Sequence, residues 1–124
     1  MESKVTKIYN DNYIQVNTEF GEFRGRWCSL SQPYLKKYIL EFECSEIISS
    51  DSIFICNTDE YKINSCEHAI HIYGFVEDID DNILFFRLAK DIIMFNIADD
   101  FDSSMFIGKF VCVKINELKL YDTE

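Results

Sequence analysis

Residues 82–97 read Asn82-Ile83-Leu84-Phe85-Phe86-Arg87-Leu88-Ala89-Lys90-Asp91-Ile92-Ile93-Met94-Phe95-Asn96-Ile97, or NILFFRLAKDIIMFNI. Two folds are open to this stretch. Phe85, Leu88, Ile92 and Phe95 stand at spacings of three, four and three, which would place them on one face of a helix. Alternatively, ILFFRL and IIMFNI are two strands joined at AKD. Isoleucine and phenylalanine dominate both, and these side chains suit a pleated, half-buried surface. The flanking DIDDN and ADDFDSS have turn composition. A hairpin is therefore predicted, and it commits the chain to a β fold.

On either side of this stretch the same period of two recurs. In EFRGRW, Phe23, Gly25 and Trp27 alternate with Glu22, Arg24 and Arg26. In YILEFEC, Tyr38, Leu40, Phe42 and Cys44 alternate with Ile39, Glu41 and Glu43. Near the C-terminus Val111, Val113 and Ile115 alternate with Phe110, Cys112 and Lys114. Such alternation puts one set on a core face and the other toward solvent. SLSQPYLKKY is expected to hold a short helical turn, with Ser31 as cap and Pro33 early. The prediction is a mainly β chain: a small antiparallel barrel or sandwich of about six or seven strands, with one or two short helical turns at most. Residues 1–124 read as a single domain, and no linker or internal repeat stands out.

The chain has 124 residues, 48% of them hydrophobic, enough for a packed core and unlike a disordered acidic tail. Formal net charge is −10. Residues 1–62 carry −3 and residues 63–124 carry −7. Nucleic-acid binding relies on basic groups that release counterions from phosphates, so this balance argues against a nucleic-acid partner and for a basic one. No apolar run has signal-peptide or membrane-span length, so a soluble cytoplasmic protein with no membrane partner is expected. Cys28, Cys44, Cys56, Cys66 and Cys112 are odd in number, widely spaced and mostly within apolar runs; reduced thiols are expected.

Metal sites fare poorly. Cys66, His68 and His71 form C-x-H-x-x-H, but structural zinc needs four ligands and no second pair stands at matching spacing. Counted from Asp78, a calcium loop needs glycine at its sixth position and glutamate at its twelfth; Ile83 and Ala89 stand there instead. No nucleophile elbow, phosphate loop or zinc-protease motif is present. Paired carboxylates such as Asp80 and Asp81 could act as acid and base only with a pKa raised by a dry pocket, which a turn does not supply. No cofactor and no enzymatic activity are expected. In RGRW, Trp27 reads as a core residue, with Arg24 and Arg26 outside and paired to nearby acids.

The acidic clusters remain. Glu77, Asp78, Asp80 and Asp81 precede ILFFRL, and Asp99, Asp100 and Asp102 follow IIMFNI. In the hairpin reading one strand leaves the first cluster and the next returns to the second. All seven acids would gather at one end of the fold. Concentrating like charge costs self-repulsion. Solubility alone accounts for any single one of these acids; the seven together are the predicted partner-binding surface.

Several stretches carry a family likeness. GEFRGRW leads through PYLKKYILEFE, a short G-x-W element and a Y-x-L-E-x-E strand. IYGFVEDIDDNILFFRL and DIIMFNI lead to IGKFVCVKINELKLYD, with its G-x-x-V-x-V strand and L-x-L-Y-D tail. Over most of residues 20–122 this resembles the small acidic immunity proteins of bacterial polymorphic-toxin and contact-dependent growth inhibition systems, in particular those with an OB-like barrel. The resemblance implies an OB-like fold, no catalysis, and neutralisation of a cognate toxin domain, commonly a nuclease, by blocking its active site or substrate face. It transfers no contact residues. A monomer is favoured. The competing expectation is an OB-like module for single-stranded nucleic acid or another ligand, which would use a basic groove with stacking aromatics.

Overall fold

The computed structural model describes all 124 residues. The chain runs through β1 (Glu2–Ile8), β2 (Tyr13–Thr18), β3 (Gly21–Trp27), β4 (Lys37–Glu43), β5 (Ile47–Ile48), β6 (Ile53–Ile55), β7 (Lys62–Cys66), β8 (Ala69–Asp80), β9 (Ile83–Leu88), β10 (Asp91–Ile97), β11 (Phe110–Ile115) and β12 (Lys119–Asp122). Ser50–Ser52 and Ser103–Met105 form single 3-10 turns. The fold is mainly β, as the alternation predicts. The strands number twelve rather than six or seven: β5, β6 and β12 span only two to four residues, too short for periodicity to register, and β1 and β2 lie outside the alternating stretches quoted above.

Residues 83–97 form the β9–β10 hairpin, paired from Asn96 with Ile83 to Asp91 with Leu88. The period of two decides it. Leu84, Phe86, Leu88, Ile93, Phe95 and Ile97 are buried, while the helical-face residues Phe85 and Ile92 point outward. SLSQPYLKKY, by contrast, holds no helical turn. Its polar groups have other partners: the Ser31 carbonyl accepts from Trp27 Nε1 at 2.6 Å, and the Tyr34 amide donates to the Tyr38 hydroxyl at 2.9 Å.

Strands β1-β2-β3-β12-β4 close into a barrel. The others form a sheet in the order β5-β10-β9-β8-β11-β6, with β7 beside the first half of β8. Laid flat, six strands would part their edges by about 24 Å. Edge strands β5 and β6 are joined by residues 49–52 alone, a reach of about 18 Å at most, so this sheet curls as well.

The two assemblies are copies of one plan, a repeat that the sequence does not advertise. In each, three strands form a meander and a fourth returns beside the first: β4-β1-β2-β3 and β11-β8-β9-β10, the Greek-key order. Register shifts mark the same place, between Val5 and Lys7 and between Val76 and Asp78. Asp11-Asn12 and Asp81-Asn82, seventy residues apart, make the same turn with both residues at positive φ, as a tight hairpin prefers. The Trp27 amide donates to the Asn12 carbonyl, and the Ile97 amide to that of Asn82. The Val5 amide donates to the Lys36 carbonyl, and the Val76 amide to that of Lys109.

The closing strands are exchanged. β12, which follows the second copy, pairs parallel with β3 of the first (Arg26 with Lys119, Trp27 with Leu120). β5, which follows the first copy, pairs parallel with β10 of the second (Asn96 with Ile47, Ile97 with Ile48). β12 also pairs along β4 and completes the first barrel, an OB-like five-stranded arrangement. In the second copy the 3-10 turn interrupts the closing segment, and β6 takes over the pairing with β11. One core of 28 buried residues runs through both copies, with edge-to-face rings in each: Phe23 with Phe42 at 5.4 Å, and Phe86 with Phe95 at 5.5 Å.

Two contacts lock the copies together. The Glu46 carboxylate accepts from the Asn116 amide (2.8 Å), the Asn116 side chain (3.0 Å) and the Glu117 amide (2.8 Å). Gly21, at φ +138, lies against β7; a Cβ there would meet the Ile63 carbonyl oxygen at 2.0 Å. Gly21→Ala is therefore expected to cost about 2–4 kcal/mol, through both strain and clash. Glu46→Ala should cost about 1–2 kcal/mol, because three donors exchange a charged acceptor for water. Because the copies exchange strands and share one core, urea unfolding should remain one transition by both tryptophan fluorescence, which reports the first barrel, and far-UV dichroism. Separate transitions for the two probes would refute the interlock.

Candidate interaction surface

Antiparallel pairing places the end of β8, the start of β9, the end of β10 and the start of β11 at one end of the curled sheet. The two acidic segments meet there. Asn82 laces them: its carbonyl accepts the Ile97 amide at 3.0 Å, and its side chain donates to Asp99 at 3.0 Å. The second segment is anchored by buried Phe101 and Phe106, whose rings lie 5.2 Å apart, and by the Gly108 amide, which donates to the Val76 carbonyl at 2.9 Å.

The seven acids differ in what they do locally. Glu77, at the register shift, pairs with Arg87, and that hydrogen bond raises the already high pKa of the guanidinium. Its charge is thus matched within the chain, unlike those of the other six rim acids. Asp78 accepts the Ile79 amide at 2.8 Å. Asp102 caps the second 3-10 turn, accepting from the amide and hydroxyl of Ser104 at 3.2 and 2.7 Å. Asp80, Asp81 and Asp100 are exposed. The ion pairs of the chain use Asp91, Glu117 and Glu77, leaving six of the seven rim acids without a cation.

Beside the rim lies a feature the sequence reading missed. The outer row Asp78–Phe85–Met94 crosses β8, β9 and β10, and the next row runs Asp80–Ile83–Asn96–Ile47. Met94 is 60% exposed and Ile47 71%. Ile92, Met105 and Ile107 are also exposed. An apolar patch with carboxylates along its border has the layout of a protein-binding surface, apolar at the centre and polar at the rim. The signal lay in the alternation, which already sent Ile92 and Met94 outward. Which residues lie beside them across strands depends on register.

The other motifs resolve differently. Cys66 ends β7, Glu67 and His68 form the turn, and His71 sits inside β8 opposite Asn64 and Lys114. The three potential ligands are spread over two strands and a turn, and no group of three or more His, Cys, Asp or Glu is gathered to hold a metal. Trp27 is buried, as expected, and Arg26 lies 3.5 Å from Glu117. Arg24 departs from expectation: it stacks on tyrosines instead of pairing with an acid, its guanidinium 4.3 Å from the centre of Tyr9 and 5.1 Å from that of Tyr13. No helix is long and apolar enough to cross a membrane.

Neither protein-family models, nor curated proteins, nor solved structures give a match to this chain.

All five cysteines are free thiols in unlike settings. Burial pushes the Cys44 thiol up to about 11 and raises that of Cys112, whereas Cys66 is exposed on its turn. At pH 8 roughly one Cys44 in a thousand is thiolate, the reactive form. Alkylation of the native protein followed by peptide mass mapping should therefore modify Cys66 first and Cys44 last. Early labelling of Cys44 would contradict its burial.

Proposed function

We propose that this protein is a stoichiometric binding protein for a basic protein domain, in the manner of an immunity protein that neutralises a cognate toxin. The observation that carries this reading is the coincidence of six carboxylates without cations and an exposed apolar face on one end of one sheet. Each half has its own physical role. Unpaired surface acids steer a cationic partner and raise the rate of encounter. Apolar and aromatic anchors at the centre of a patch, here Met94 and Phe85, set how long the complex lasts. A nuclease suits the basic partner well, because it displays cations to hold phosphates, and an acidic rim can occupy them. Inhibition then follows from covering that surface and requires no chemistry by this chain. The reading favours a soluble cytoplasmic monomer as the acting species, with neither membrane nor cofactor.

The reading predicts a toxin-like domain encoded in the neighbouring reading frame, and the test uses that domain. It should co-purify with this protein in a one-to-one complex and lose activity on binding. Changing Asp80, Asp81, Asp99 and Asp100 together to Asn should lower the association rate about tenfold at low salt, with the difference shrinking as salt rises. Met94→Ala should act mainly on dissociation, at a cost of about 2 kcal/mol. An unchanged association rate for the quadruple variant at low salt would remove the rim from the interface.

A further inference from the structure

The repeat allows one face to be compared with its own copy. Lys7, Gln15 and Arg24 form an outer row across β1, β2 and β3. The matching row of the second copy is Asp78–Phe85–Met94. One row is cationic and polar, the other acidic and apolar. Around the first stand two tyrosines: Arg24 lies over Tyr9 and Tyr13, and the Lys7 ammonium is 4.8 Å from the centre of Tyr9. Tyr9 is held in turn by its amide, which donates to the Tyr13 carbonyl at 2.8 Å, and by its hydroxyl, 3.5 Å from the Gln15 side chain.

In a chain with 22 acids and 12 bases, cations should find acids. Arg26 does, on Glu117. Arg24 and Lys7 enter no ion pair, and the Arg24 guanidinium donates no hydrogen bond within the chain. Stacking holds a guanidinium in place while leaving its in-plane N–H donors free, and those donors match the oxygens of a phosphate. Beside Arg24, between the first barrel and the β7–β8 turn, lies a groove of about 360 Å³. Tyr13, Ser65, His68 and Asn116 line it, and so does one acid, Glu67. Because cations already lie against the tyrosines, the face is suited to an oxyanion more than to a stacked base.

We infer that the Lys7–Arg24 face of the first barrel is a second binding site, separate from the acidic rim, for a phosphate group carried by a nucleotide or by the backbone of a single-stranded nucleic acid. The net charge of the chain opposes such a ligand at long range, so binding is confined to low salt and depends on the local cluster.

The full chain is titrated at low salt with three probes: ATP, a short fluorescein-labelled oligothymidylate, and an oligoglutamate peptide as a carboxylate control. Binding of ATP and oligonucleotide alike supports the site and identifies a free phosphate as sufficient. Binding of the oligonucleotide alone supports it with the backbone as the source. In either case Arg24→Gln should weaken binding about tenfold or more, and adding Lys7→Gln should remove it. Lys90→Gln, which lowers the charge equally on the far copy, should leave it unchanged. Two neutralised phosphates predict a log–log salt slope of about −1.4 for the oligonucleotide. Urea midpoints of the variants confirm folding. No binding of ATP or oligonucleotide at low salt overturns the inference. So does equal binding of oligoglutamate, or indifference to Arg24→Gln in a folded variant. None of these measurements involves the toxin-like partner, so they stand or fall apart from the acidic rim.

Discussion

The parallel pairing of Lys119–Leu120 with Arg26–Trp27 closes the first barrel, and that of Ile47–Ile48 with Asn96–Ile97 extends the second sheet, so each copy borrows a strand that follows the other. A strand left at the edge of a barrel exposes unpaired amides and carbonyls and invites wrong partners. Here the strand that fills the gap between β3 and β4 follows the second copy in the chain, so the first barrel does not close without it. Glu46, taking three donors from Asn116 and Glu117, holds the crossing point where both connecting segments pass. Gly21 seats β7 of the second copy against the first barrel.

This sharing also explains why the two outer faces were free to differ. Inner positions of both copies must fill one continuous core, so Val16 and Phe86, or Trp27 and Ile97, remain large and apolar. Outer positions answer only to solvent and to partners. Lys7–Gln15–Arg24 and Asp78–Phe85–Met94 occupy the same row of the same plan with opposite chemistry. A protein that needed only solubility would gain nothing from leaving Met94 and Ile47 in water beside uncompensated acids.

Gathering like charges raises the energy of the free protein, a cost that binding a cationic surface would relieve. The acids that bear this cost are not on a loose tail. Asn82, the Phe101–Phe106 pair and the Gly108 amide hold the second acidic segment against the first. A rim held in place would lose less entropy on association than a flexible one, so under the proposed reading the packing beneath the acids serves binding as much as the charges do.

Much of this was legible in the residues. The alternation of Phe23, Gly25 and Trp27, of Tyr38, Leu40 and Phe42, and of Ile93, Phe95 and Ile97 determined strands and their inner faces, because a period of two follows from backbone geometry alone. Composition determined the acidic character, and turn chemistry at both ends of 83–97 determined the hairpin that brings the two acid clusters together. The duplication was not legible, although Asp11-Asn12 and Asp81-Asn82 are its trace: the copies share burial pattern and register, which many different side chains satisfy. Nor could residue order reveal that Glu77 is matched by Arg87, that Arg24 rests on tyrosines, or that Asp78, Phe85 and Met94 lie in one row. Those depend on which strand stands beside which and in what register. Cross-strand register and the exchange of closing strands are properties of the assembled sheets, settled when both copies bury one core, and no local stretch of sequence contains them.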